Sequence, residues 1–244
     1  MGLDEVTIDS DHFRTFIRER TSVSNIKREM YRQACVDTAE YIISTSPDKN
    51  GPFYAHEYLG RAPMLNHCAV LQRDNPDGYC LEFGVGDGTS LNWLRQHRFT
   101  YGFDSFLGLP EAWRGEYPKG SFAIDTYRLE EIVKWDSVAI VSGLFEDSLP
   151  AWIDIQQPYL DGEGIALIHI DCDLYSSTKF VLDTLRPWIK SGTIIVFDEF
   201  WNYPGWDHPK LGEFAAFHEI NGSGLEFKCL GYVVDGEQLA VQAL

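Results

Sequence analysis

The sequence predicts an α/β fold: a mostly parallel, seven-stranded, Rossmann-like sheet with an antiparallel C-terminal hairpin, helices on both faces and an N-terminal helical extension. Three observations carry this. Short runs rich in Val, Ile and Leu recur from residue 78 onward, separated by stretches of helical periodicity, which argues strands buried on both faces of a parallel sheet. A glycine cluster, "EFGVGDG" (82–88), follows the first of these runs at a strand-to-helix turn. Asp235-Gly236, a strong hairpin signal, joins the last two runs.

Taken in order, residues 10–46 mix apolar and charged positions at helical spacing, with Ser10 and Ser24 as N-cap candidates. "SPDKNGPF" (46–53) is a turn-rich linker, and "YAHEYLGRAPMLNHCAVLQRD" holds a second helix. The strand runs are "GYCLEFG", "TYGFD", "SVAIVSG", "GIALIHID" and "GTIIVFDEF", followed by the hairpin within "LEFKCLGYVVDGEQLAVQAL". The expected organisation is a helical extension or cap over residues 1–77 and one catalytic domain over residues 78–244.

Composition narrows the partners. The 244-residue chain is 44% hydrophobic, enough for one sizeable core. Its formal net charge of -17 repels phosphate backbones and anionic lipid, so neither nucleic acid nor a membrane surface is expected as a partner. No apolar run reaches the roughly 20 residues of a membrane span. "MGLDEVTIDSDHF" lacks the basic and apolar regions of a secretory signal. Five scattered cysteines without a CxxC pair read as reduced thiols of a cytoplasmic protein.

Glycines at a strand-to-helix turn let a ligand approach the main chain and the free N–H groups of the helix. The dinucleotide fingerprint fails, because Thr89 stands where its last glycine should be, which argues against an NAD-dependent dehydrogenase. No Lys follows the glycines, so the phosphate-loop pattern is absent as well. Asp104, 20 residues after Gly84 at the end of the next strand, is placed to accept both ribose hydroxyls of a nucleoside. A ligand with a ribose and no phosphate fits, and S-adenosylmethionine is the common one.

The motifs "LEFGVGDGTSLNWL", "YGFDSFLGLPEAW", "KGSF", "GLFEDSLPAW", "HIDCDLYSST" and "TIIVFDEFWNYPGW" resemble those of class I S-adenosylmethionine-dependent methyltransferases. More narrowly, they resemble the macrocin-type O-methyltransferases, which modify sugar hydroxyls of macrolides. The likeness runs from about residue 79 to 244; residues 1–77 carry no matching motif. It implies that Gly84, Gly86 and Gly88 accommodate the methionine part of the cofactor. Glu82 would orient that turn or meet the same part. Asp104 with Ser105 would hold the ribose. Phe145 would stack on adenine or pack as a core aromatic, and Glu146 or Asp147 would accept from the adenine amino group or from nearby N–H groups. Phe83, Thr89, Ser90 and Asp171 complete the expected cofactor contacts.

Two strand ends carry carboxylates, Asp171 and Asp173 in "HIDCDLY" and Asp198 and Glu199 in "FDEF". Ligands of an open parallel sheet sit beyond the carboxyl ends of its strands. Bare, four such acids repel one another; a hard divalent cation relieves this through oxygen ligands. The resemblance implies Mg²⁺ on Asp171, Asp198 and Glu199, with Glu199 departing from the Asp or Asn that the family carries there. The alternative is a metal-free site whose acids bind substrate hydroxyls and cap the helix starting near Tyr175. Asp173 is a ligand, a substrate contact or the base, and His208 is a second candidate base. Lys179 is a weaker one, expected to be solvated, while His169 between two isoleucines reads as a core histidine.

The stretch 104–122, rich in Gly, Pro and aromatics, reads as a lid. Trp113, Tyr117, Phe122, Trp201, Tyr203 and Trp206 form an acceptor wall or pack between loops. Tyr54, His56 and Arg61 are further site candidates in a segment that covers the cofactor or makes a dimer contact. The expected function is O-methylation of a hydroxyl on a small natural product or sugar, and a homodimer is the expected assembly. The alternatives are a metal-independent O- or N-methyltransferase and a non-catalytic cofactor binder.

Overall fold

The structure, a computed structural model, describes residues 23–45, 55–72, 78–221 and 224–244. Ser10, Tyr54 and the 46–53 linker lie outside them. The elements run α1 (Val23–Thr45), β1 (His56–Tyr58), α2 (Arg61–Leu71), β2 (Tyr79–Phe83), α3 (Thr89–Leu94), β3 (Thr100–Asp104) and α4 (Thr126–Ile132). There follow β4 (Val138–Ser142), α5 (Phe145–Glu163), β5 (Ile165–Ile170), α6 (Tyr175–Leu185), β6 (Ile194–Phe197), α7 (Glu213–Ile220), β7 (Phe227–Val233) and β8 (Leu239–Ala243). Ser24 falls inside α1 rather than ahead of it as a cap.

The sheet order is β1-β7-β8-β6-β5-β2-β3-β4. All pairings are parallel except those that β8 makes with β6 and β7. Seven strands follow the expected pattern and the eighth is β1, which pairs with β7 through His56 and Gly231. Three residues with two charged or polar side chains are too few to show a two-residue period. The sheet therefore takes in a strand from before residue 78.

Alternation of side chains divides the core into two layers. Leu81, Phe83, Ile168, Ile170, Ile195 and Phe197 face one side and pack with residues of α1, α5, α6 and α7. Cys80, Leu167, Ile194 and Val196 face the other, where α2 buries Met64, Leu65, Cys68 and Ala69 completely. The register aligns Glu82 with His169, and His169 with Val196. Glu82 and His169 therefore share the α2 side of the sheet, and two residues past Val196 on the same parity comes Asp198. That parity gathers polar groups at one end of the sheet, under the first turn of α2.

The chain runs outward through β2, β3 and β4 and then crosses back to place β5 against the other edge of β2. Direction reverses between β2 and β5, the point where an open α/β sheet opens a crevice. Main-chain bonds extend past the strands there: Asp171 N donates to Phe83 O at 2.8 Å, Asp198 N to Ile170 O at 2.9 Å and Gly143 N to Asp104 O at 3.0 Å. The strand ends, and the loops they launch, are held together by backbone before any side chain contributes.

Candidate active site

A cavity of about 480 Å³ opens at this reversal point. It is walled by the glycine turn after β2, the end of β3, the start of α5 and the acids after β5 and β6. Of the expected cofactor residues, Gly84, Gly86, Ser90, Asp104, Ser105, Phe145, Glu146 and Asp171 line it, as do Asp173 and Glu199. Arg61, Asp87, Leu109 and Phe122 line it as well.

The three glycines have three different causes. A Cβ on Gly84 would lie 1.6 Å from the Asp171 carbonyl oxygen, so this residue is bare because β5 passes against it. A Cβ on Gly88 would meet Trp135 and Ile132 at 2.9 and 3.0 Å, which is a packing constraint. Gly86, with φ +51°, meets nothing within 4 Å and faces open space. Only Gly86 is free of a neighbour that explains it, so at one of the three positions the bare backbone leaves open space that a ligand could use. Gly86→Ala is expected to fold, at roughly 1 kcal/mol for its left-handed backbone, and to weaken cofactor binding. Gly84→Ala is expected to abolish soluble protein. Expression yield and calorimetric titration check the pair.

Asp104 accepts from Val85 N and Gly86 N, both at 2.8 Å to Oδ2, and from Phe106 N at 2.7 Å to Oδ1. A carboxylate has about four acceptor sites, and the backbone uses three. Asp104 thus fastens the glycine turn to β3 and retains room for one hydroxyl in this geometry, not the two expected. Phe145 stands at the start of α5, in edge contact with Phe83 at 5.4 Å, and faces the cavity at the same time. Both roles foreseen for it are compatible with that position.

Several expected site residues stand elsewhere. Phe83 and Glu82 are fully buried, Phe83 because it points into the large core layer. Glu82 turns toward β5, where its Oε1 lies 2.9 Å from His169 Nδ1, rather than toward the glycine turn. Gly88 and Thr89 do not reach the cavity; Thr89 N donates to Asp87 Oδ1 at 2.9 Å, closing a local turn at the start of α3. His208 is exposed on the loop after β6, outside the cavity, and its Nδ1 accepts from Lys210 N, so it is not positioned as a base. His56 is exposed too. Lys179 pairs with Asp183 and Glu219 on the outer face of α6.

The aromatic wall is mostly core. Trp113, Trp201, Tyr203 and Trp206 are buried, and only Phe122 lines the cavity. The Arg114 guanidinium lies 3.8 Å from the Trp113 ring centre and 3.6 Å from that of Tyr203, and it pairs with Glu237 on the β7–β8 turn. A cation between two rings with a carboxylate partner pins the middle of the 104–122 loop to the sheet.

The acids form one group, Asp198 and Glu213 buried and Asp171, Asp173 and Glu199 half-buried. Arg61 Nη1 donates to Asp198 Oδ2 at 2.6 Å and to Asp171 Oδ2 at 3.2 Å. On the core side, His169 Nε2 lies 3.6 Å from Asp198 Oδ1. Burial opposes ionisation of Asp198, but His169 and Arg61 outweigh it and hold its carboxyl below the usual range. Burial opposes the charge on His169 too, yet Asp198 and Glu82 push its imidazole up to about 10. Burial, and then the charge of Asp198, drives Asp171 and Glu199 well above the ordinary carboxylate value. Asp173, at the left-handed turn φ 63°, is pushed up to about 7 by burial, against the attraction of Arg114. Glu213, which the sequence reading missed, is fully buried and accepts from Glu199 N at 3.1 Å. No acid caps α6, whose cap position is Leu174 without a side-chain bond.

Asp198 Oδ1 and Glu199 Oε2 are buried without a hydrogen-bond partner. His169, Asp171 and Asp198 present polar atoms within 4.8 Å of one another; a protonated His169 cannot ligate, so the oxygens on offer are those of the carboxylates. Orphaned carboxylate oxygens at a cluster of acids fit a hard divalent cation. Among the described residues, no helix is long and apolar enough to cross a membrane.

Residues 81–200 match a family model described as a methyltransferase domain. A Streptomyces olivaceus protein, 8-demethyl-8-(2,3-dimethoxy-alpha-L-rhamnosyl)-tetracenomycin-C 4'-O-methyltransferase, is 27% identical over 201 residues, covering 70% of this chain and 74% of that protein. Mycinamicin III 3''-O-methyltransferase of Micromonospora griseorubida is 28% identical over 170 residues, 61% of this chain and 66% of that protein. Among solved structures, calicheamicin methyltransferase CalS11 superposes with a TM-score of 0.59 at 21% identity, covering 93% of this chain and 96% of its own. The O-methyltransferase NovP superposes with a TM-score of 0.56 at 18% identity, covering 75% of this chain and 78% of its own. At these identities the two structures speak for the shared fold.

Proposed function

We propose, from the premise that this chain is a class I S-adenosylmethionine-dependent methyltransferase, that it methylates a sugar hydroxyl of a small glycosylated natural product with help from a divalent cation such as Mg²⁺. The observation that carries this reading is the shape of one cavity. One wall brings together Gly86, Asp104, Phe145 and Glu146 with the acids Asp171, Asp173 and Glu199.

Bound S-adenosylmethionine supplies the methyl group, activated as a sulfonium. Gly86 gives its chain room, Asp104 takes one ribose hydroxyl, and Phe145 offers a face to the adenine. Asp171, Asp198 and Glu199 would hold the cation, whose charge favours the ionised form of an acceptor hydroxyl. Asp173 takes the hydroxyl proton on its carboxylate, which burial has made basic enough to do so near neutral pH. Leu109 and Phe122 give the cavity wall apolar surface beside the reactants. Holding donor and acceptor at contact distance supplies much of the rate. Relatives act on rhamnosyl and mycinamicin acceptors by name, which supports a sugar as the acceptor class.

The test is mass spectrometry of neutral glycosides incubated with the protein and S-adenosylmethionine, looking for the gain of one methylene. Asp173→Asn should lower turnover by about 10²- to 10⁴-fold, the scale of a general base, while calorimetric affinity for the cofactor stays unchanged. Full turnover in that variant would remove Asp173 from the chemistry.

A further inference from the structure

We infer that Arg61 is the built-in counter-ion of the acid site, and that Arg61 and a divalent cation occupy that site in alternation. The inference rests on the metal reading proposed above for Asp171 and Asp198. It concerns a residue that the β1–α2 corner delivers to the site.

Arg61 is the first residue of α2. A cation there opposes the helix dipole, which favours acids in the first turn. Its position makes sense only through what it reaches. Nη1 bridges Asp198 Oδ2 at 2.6 Å and Asp171 Oδ2 at 3.2 Å, so one nitrogen serves two carboxylates. Against the acids Asp87, Asp104, Glu146, Asp171, Asp173 and Glu199, Arg61 is, among the described residues, the one basic residue that lines the cavity. The Asp198 side chain is only 3% exposed. A carboxylate at that depth needs a compensating charge. His169 provides it from the core side, and Arg61 provides it from the cavity side.

A divalent cation binds carboxylate oxygens at about 2.0–2.6 Å. Placed on the two Oδ2 atoms, it falls where the guanidinium nitrogen already is. The two positive groups exclude each other, so metal entry requires Arg61 to leave. The side chain has somewhere to go: it is 30% exposed, and its guanidinium already lies 5.6 Å from the centre of the Trp93 ring, a second seat that suits a cation. Arg61 thereby keeps the emptied acid site from accumulating unbalanced charge and lowers its affinity for metal.

The experiment is a Mn²⁺ titration of the full chain, followed by electron paramagnetic resonance or calorimetry with neither cofactor nor acceptor present. Arg61→Gln should bind Mn²⁺ at least about tenfold more tightly than the parent, the usual scale of coupling between two competing occupants. Arg61→Lys, which keeps the charge as a strongly hydrated ammonium on a flexible stem, should fall between them. Asp198→Asn should lose the binding. In the parent protein, the Arg61 Nε resonance should move as Mg²⁺ is added, which keeps the test open if Arg61→Gln does not fold. Equal affinity in the parent and Arg61→Gln, or an Arg61 resonance indifferent to Mg²⁺, overturns the exchange. If that happens while Asp198→Asn abolishes binding, the metal site stands and only the role of Arg61 falls. If Asp198→Asn binds Mn²⁺ like the parent, or nothing binds at all, both fall, while the glycoside assay judges methyl transfer separately.

Discussion

Asp198→Asn is expected to lose methyl transfer by about a thousandfold, roughly 4 kcal/mol of transition-state stabilisation, which is the scale on which a bound cation stabilises developing charge. Affinity for S-adenosylmethionine should stay within about twofold, because Asp198 does not line the cavity and meets it only through Arg61. The substitution keeps shape and hydrogen bonding: an amide oxygen still accepts from Arg61 Nη1. What it removes is the negative charge that both His169 and Arg61 face. A melting curve separates a folding defect from a catalytic one, and chelator on the parent enzyme should reproduce the loss, reversed by added Mg²⁺. If Asp198→Asn turned over at the parent rate and chelator changed nothing, the acids would serve as hydrogen-bond acceptors for the sugar, and the metal would drop out of the mechanism.

The architecture was legible in the sequence because each buried parallel strand announces itself as a short, mostly apolar run. β5 is buried along its whole length and reads "IALIHI"; β6 reads "IIVF". The acids were legible for the same reason, since a carboxylate just past such a run sits where strands end and ligands collect. What escaped was any contact made across the chain. Arg61 meets Asp171 and Asp198 from more than a hundred residues away, and nothing in "LGRAP" signals that. Gly84 and Gly88 look like parts of one ligand motif, but the Asp171 carbonyl and the Trp135 ring account for them. The tryptophans after the acidic pair have the composition of a binding wall, yet a loop flanked by α1 and α7 can bury them: Tyr41 and Phe214 stack edge-on around Trp206 at 5.5 and 4.6 Å. His208 has suitable chemistry and the wrong address, because a residue eleven positions past the end of β6 can leave the crevice entirely.

His169→Leu is expected to destabilise the fold by about 3–5 kcal/mol, the usual result of removing one partner from a buried ionic group. The sequence pattern makes His169 look like an ordinary core residue, and on the α2 side of the sheet its neighbours by parity, Leu167 and Val196, are apolar. The cost comes from what faces it. Glu82 is fully buried and bonds to Nδ1; its other oxygen already has no partner. Asp198 would lose its core-side charge at the same time and depend on Arg61 alone. Folding raises the imidazole pKa from 6.5 to about 10. The stability it contributes is therefore complete below pH 6.5 and is lost as pH rises through 10, so the gap between parent and variant in urea unfolding should narrow over that interval. The double variant Glu82→Leu/His169→Leu decides whether the ionic pair or the packing matters. Removing both partners leaves no orphaned charge on that side, so the double variant should be more stable than His169→Leu alone, with a favourable coupling of 1 kcal/mol or more, within the range for residues in contact. A double variant as unstable as the sum of the singles would mean that His169 is held by shape and that its link to Asp198 is incidental.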